Sequence, residues 1–167
     1  MILVILLRFI LLVAVQVLIL NHLQLGSLWH PMIYILFVLT LPFNTPGWLL
    51  LLLSFCLGIS IDMFTQTLGI HTTATVLTAY LRPSVLRLIS TKDNEQMNIT
   101  PDISDMGIKR FIYYASFLVF LHHLVLFYME AFSLSGFYFT FLRAIFSFFF
   151  SMLLIIIAQL LFQRNKK

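Results

Sequence analysis

The chain has 167 residues, 61% of them hydrophobic and 10% charged, with a formal net charge of +4; its mean hydropathy is +1.03. So little polar surface cannot solvate a water-soluble globule, and the composition points to one integral membrane domain over residues 1–167. The basic residues form no stripe interleaved with aromatics, so no nucleic-acid partner is expected. The single cysteine, Cys56, excludes an intrachain disulfide.

Residues 2–20 read as a first span, interrupted by Arg8 and Gln16. No basic segment precedes it and no small-x-small cleavage site follows, so it is expected to stay on the protein. A polar turn covers 21–30. Residues 31–43, bracketed by Pro31 and Pro42, are predicted to form a short second span. At about 1.5 Å per residue they reach roughly 20 Å, short of the ~30 Å hydrocarbon core. They form either a tilted, packed span or a re-entrant segment. After the Asn44-Thr45-Pro46-Gly47 turn, a third span covers 48–64 and a fourth, following Gly69, covers 70–89. A polar loop occupies about 90–108, with Pro101 breaking any helix. A fifth span covers 111–129, a turn lies at 133–136, a sixth span covers 137–162, and a basic tail covers 163–167. The predicted fold class is an all-α membrane protein, a six-span transmembrane helical bundle, with five spans plus a re-entrant segment as the alternative.

Charge orients this bundle. Arg82, Arg87, Lys92, Lys109, Arg110, Arg164, Lys166 and Lys167 lie in or beside only two places, the 90–110 stretch and the C-terminal tail. The positive-inside rule makes both cytoplasmic, and an even number of crossings puts both termini there. Basic patches at that surface suit anionic lipid heads.

Charges inside spans are costly and usually face protein. Asp62, Glu130 and Arg143 all fall in the outer half of the predicted bundle, so Arg143 is expected to form a structural ion pair with Asp62 or Glu130. Arg8, in the inner half of the first span, is expected to snorkel to the head groups. His71, Thr75, Thr78 and Arg82 are spaced 4, 3 and 4 along the fourth span, flanked by Ala79. That polar face should point into the bundle as a packing seam or as a groove for a partner. Ser54 and Gly58 form a small-xxx-small pair in line with Asp62, a candidate close-packing or partner face. Pro83 is expected to kink or end the buried part of the fourth helix. His122 and His123 point to different sides of one helix, an arrangement unsuited to a metal. Trp29, Trp48, Tyr113, Tyr114 and Tyr128 read as interfacial anchors. With no GxSxG, no HExxH and a single membrane aspartate, no catalytic residue, cofactor or metal site is expected, and the protein is read as not an enzyme.

The stretch 42–83 has a distinctive order: Thr45-Pro46-Gly47-Trp48, a leucine run, Gly58 with Asp62 and Phe64, Leu68-Gly69-Ile70-His71, and Ala79-Tyr80-Leu81-Arg82-Pro83. It resembles MreD, the rod shape-determining membrane protein family, in its Bacteroidota-like form. The resemblance implies a non-enzymatic subunit of the cell-elongation machinery in the bacterial inner membrane. Such a subunit binds an MreC-like single-span protein. Through it the MreB-like filament, a RodA-like glycosyltransferase and a class B transpeptidase are organised for lateral peptidoglycan synthesis. The family is also similar to the six-span substrate-binding S-components of energy-coupling vitamin transporters, and a vitamin-binding S-component is the alternative function. The motifs lie in the central quarter of the chain; beyond it the similarity is one of hydropathy and loop charge.

Overall fold

The structure, a computed structural model, describes residues 2–23, 28–89, 100–131 and 136–164. Its regular structure is helical, with no strand among the described residues. The helices are α1 (Ile2–Ala14), α2 (Ile35–Leu39), α3 (Gly47–Thr65), α4 (Ile70–Ile89), α5 (Ile103–Met106), α6 (Ile108–Ala131) and α7 (Phe137–Arg164). Past Ala14, α1 continues as a π turn, Val15–Ile19, and a 3-10 turn, Leu20–His22. Lys92, Lys166 and Lys167 and most of the predicted 133–136 turn lie outside the described residues.

Four helical stretches are long and apolar enough to cross a membrane: Leu3–His22, Gly47–Thr65, Ile108–Ala131 and Phe137–Leu161. They correspond to the predicted first, third, fifth and sixth spans. The predicted fourth span is also a helix over its whole length, the 20 residues of α4. Its histidine, threonines and arginines make it too polar to join those four. It continues through Pro83 to Ile89, so the proline does not end it.

The predicted second span departs from expectation. Only five of its residues, Ile35–Leu39, form an α-helix, and every residue from 31 to 41 is buried. Proline at 42 disfavours helix just before it, and the Pro31 carbonyl and the Met32 and Ile33 N–H groups bond to other elements instead of to a helix of their own. Part of the predicted loop is helical, and its residues 90–99 lie outside the described residues. Asp102 caps the short α5, its carboxylate accepting the Asp105 N–H at 2.9 Å, and α6 starts directly after Gly107.

Helix α4 packs between α3 and α6, α6 packs on α7, and α1 lies against α2 and α3. The shared core combines Leu57 and Ile61 of α3, Ala74 and Ala79 of α4, Phe111, Leu118 and Leu126 of α6, Ile155 of α7 and the whole of α2. At the end of the bundle where α3 begins and α4 ends, the chain places Arg8, Arg82 and Arg87. Where α3 ends and α4 begins lies Asp62.

Candidate functional site

The most ordered chemistry in the molecule is a buried polar seam, and its first part is the α3–α4 hairpin. Gly58 permits the closest approach: a Cβ built there would lie 2.4 Å from the Thr72 Cα, so the helices meet backbone to backbone. One turn on, Asp62 caps α4. Its Oδ1 accepts the His71 N–H at 3.0 Å and its Oδ2 accepts the Thr72 N–H at 2.9 Å, with the Thr67 and Thr72 hydroxyls also donating. A carboxylate at a helix N-terminus answers both its unpaired N–H groups and its dipole. The connection turns through Gln66 at φ 55° and Gly69 at φ 82°, left-handed conformations that glycine adopts at no steric cost.

The polar face of α4 points inward as a unit: His71, Thr75, Thr78 and Arg82 are all buried. The threonines donate back to carbonyls of their own helix, Thr75 to His71 at 2.6 Å and Thr78 to Ala74 at 2.7 Å. His71 Nδ1 lies 2.9 Å from the Tyr34 hydroxyl, which is 2.9 Å from His122 Nε2. His123 Nδ1 donates to the Val119 carbonyl at 2.8 Å, which makes its Nε2 the acceptor from Ser151 Oγ at 3.0 Å. His122 Nδ1 and Ser54 Oγ have no partner among the described residues.

The second part of the seam holds the irregular segment 28–41. Gln16, which lies in the π turn of the first helix, accepts the Ile33 N–H at 2.8 Å and donates to the Pro31 carbonyl at 3.0 Å. Ser147 of α7 accepts the His30 N–H at 3.0 Å and donates to the Leu28 carbonyl at 3.1 Å. Ser151 accepts the Met32 N–H at 2.8 Å. At the other end of the segment, Arg8 donates to the Thr40 hydroxyl at 3.0 Å and to its carbonyl at 3.3 Å. Arg82, only 1% exposed, donates to the Leu41 carbonyl and, through Nε at 3.0 Å, to the Tyr114 hydroxyl; that hydroxyl donates to the Leu39 carbonyl at 2.8 Å. A backbone group without a partner in an apolar medium costs several kcal/mol. These side chains supply the partners that a helix would otherwise provide.

Several sequence expectations change here. Arg8, expected to snorkel, is hydrogen-bonded to Thr40. Tyr114 is not an interfacial anchor but fully buried, whereas Trp48 and Tyr113 are exposed. Ser54, Gly58, Thr75, Thr78 and Ala79 are buried within the chain, so these faces serve internal packing and offer a partner no surface. Arg143 pairs with Glu130 at 3.2 Å and lies 4.4 Å above the Phe127 ring, while Asp62, on α3, is committed to capping α4. Arg87, Lys109 and Arg110 are exposed, and Arg164 is the last residue of α7. Among the described residues no group of three or more His, Cys, Asp or Glu is placed to hold a metal. Tyr34, Ser147 and Ser151 were not singled out by sequence, because an isolated hydroxyl in an apolar run carries no spacing signal.

Fold and seam together define a class: an all-helical protein with four helices long and apolar enough to span a membrane, and with a polar seam enclosed at its centre. No family model, curated protein or solved structure matches the chain.

Proposed function

We propose that the chain is an MreD-like, non-enzymatic scaffold of the cell-elongation machinery, holding an MreC-like single-span partner in the bacterial inner membrane. The observation that carries this reading is that the residues of the resemblance act as one unit. Gly58, Asp62, Gly69, His71 and Arg82 each have a defined task in building or anchoring the α3–α4 hairpin. Gln16, Asp62, Arg82, Tyr114 and Ser147 are engaged in holding backbone, a structural use that suits a rigid platform. The hairpin presents an apolar stripe on its outward side, Trp48, Leu52, Phe55, Ile59 and Met63. Its spacing of 4, 3, 4 and 4 matches the seam one transmembrane helix offers another.

The same reading takes the chain across the membrane six times with both ends in the cytoplasm. The shielded α4 and the segment 28–41 add two crossings to the four apolar ones. Segment 28–41 runs from the level of Ser147 to Arg8, protected from lipid by its neighbours.

Purification of the full chain from its native membranes tests the proposal. It should retain a single-span, coiled-coil partner, and a photocrosslinker at Phe55 or Ile59 should capture that partner's transmembrane helix. Retention of an ATPase pair or of a vitamin, without such a partner, would contradict it.

A further inference from the structure

The end of the bundle where α3 begins contains a cleft of about 350 Å³ between the 43–47 turn and the last turns of α4. That size falls within the roughly 300–1,000 Å³ of small-molecule sites. Asn44, Thr45 and Gly47 line one wall and Arg82, Pro83 and Arg87 the other. None of the described residues lining it is acidic.

The two arginines differ in setting. Arg82 is buried and fixed by Tyr114 and Leu41, which holds its guanidinium in the cleft wall without side-chain freedom to lose. Arg87, one and a half turns on, is exposed and lies at the cleft mouth. Opposite them begins α3, a helix of 19 residues whose N-terminus has no side-chain cap. Its leading N–H groups and dipole add to the positive potential of the guanidinium pair. Trp48, the second residue of α3, is 68% exposed, and exposed tryptophans mark the head-group level of a bilayer.

We propose that this cleft binds the phosphate of an anionic phospholipid head group, phosphatidylglycerol in type. Arg87 forms charge-assisted hydrogen bonds to the phosphate oxygens, the buried Arg82 adds its positive charge from the cleft wall, and Asn44 and Thr45 meet the polar head. A phosphate is the anion a guanidinium binds in this way, and the depth given by Trp48 selects a lipid over a soluble anion. The inference stands independently of the scaffold reading, since it uses only the cleft, its charge and the exposed Trp48 beside it.

The full chain in neutral detergent, depleted of lipid, is titrated with short-chain phosphatidylglycerol, phosphatidylcholine or inorganic phosphate. Because Arg82 also holds the fold, the test variant is Arg87→Gln. The exposed Lys109→Gln, outside the cleft, is the control of equal charge. Phosphatidylglycerol should bind at least about tenfold tighter than phosphatidylcholine, Arg87→Gln should weaken it about tenfold, and Lys109→Gln should change it less than about twofold. Equal weakening by the two variants would overturn the site in favour of diffuse surface charge. Equal affinity for the two lipids would overturn the head-group assignment, and inorganic phosphate binding as tightly as phosphatidylglycerol would overturn the lipid as its source.

Discussion

The α3–α4 hairpin and the segment 28–41 solve the same problem in opposite ways. In the hairpin, two regular helices satisfy their own backbones, and only the start of α4 needs help, which Asp62 gives from a few residues away in sequence. In the segment, only the turns around α2 satisfy themselves, the Leu36, Phe37 and Thr40 N–H groups donating within it, and the flanking backbone does not. Its partners come from Gln16, Arg8, Arg82, Tyr114, Ser147 and Ser151, some of them more than a hundred residues distant. Irregular backbone in an apolar interior persists only where protein replaces water as hydrogen-bond partner. The hairpin is therefore a local structure refined by its neighbours, whereas the segment is a structure its neighbours impose.

That contrast sets an order of sensitivity. The largest loss should follow removal of a donor to the segment. Arg82→Met leaves the Leu41 carbonyl without its donor and breaks the relay through Tyr114 to Leu39. A cost on the order of 3 kcal/mol is expected, read as a collapse of monodisperse protein in detergent. Arg82→Lys should recover only part, because one ammonium cannot replace a planar fork.

Next comes the hairpin contact. Gly58→Leu drives a side chain into the Thr72 backbone and should cost about 1–3 kcal/mol in thermal stability. Its neighbour Ser54, buried without a hydrogen-bond partner, sharpens the point: Ser54→Ala should be neutral within about 0.5 kcal/mol or slightly stabilising. A marked loss there would show that the hydroxyl has a bonding role.

Smaller again is the cap. Asp62→Asn keeps the shape but drops the charge at the α4 N-terminus, for about 1 kcal/mol. Glu130→Gln breaks an ion pair whose side chains are 41% and 22% exposed; solvent screening limits that loss to below about 1 kcal/mol. If Glu130→Gln proved costlier than Asp62→Asn, the relative weight given to cap and ion pair would be reversed.

The same contrast explains what the sequence made legible. The hairpin was readable because its signals are local: glycine and aspartate four residues apart on α3, and histidine, threonines and arginine recurring at helical spacing on α4. The inward direction of that polar face followed from periodicity alone. The segment 28–41 yielded only its brevity, from Pro31 and Pro42. Its support depends on residues such as Gln16 and Ser151 that meet it only in the folded chain. The Arg8 contact stayed hidden for the same reason: nothing in the sequence places a distant threonine beside it. Tyr113 and Tyr114 were both assigned to the interface because they lie near a span end, yet adjacent helical positions face different ways: Tyr113 is exposed and Tyr114 buried.

The central claim is that segment 28–41 is threaded through the bundle and held by side chains of α7 and the first helix. Cysteines at Met32 and Ser151, introduced in a Cys56→Ser background, test it most directly, since the Met32 N–H lies 2.8 Å from Ser151 Oγ. Mild oxidation of intact membranes should join them in nearly every molecule, seen as a mobility shift reversed by reductant. Free thiols at both positions that react with a water-soluble maleimide and never cross-link would contradict the threaded segment.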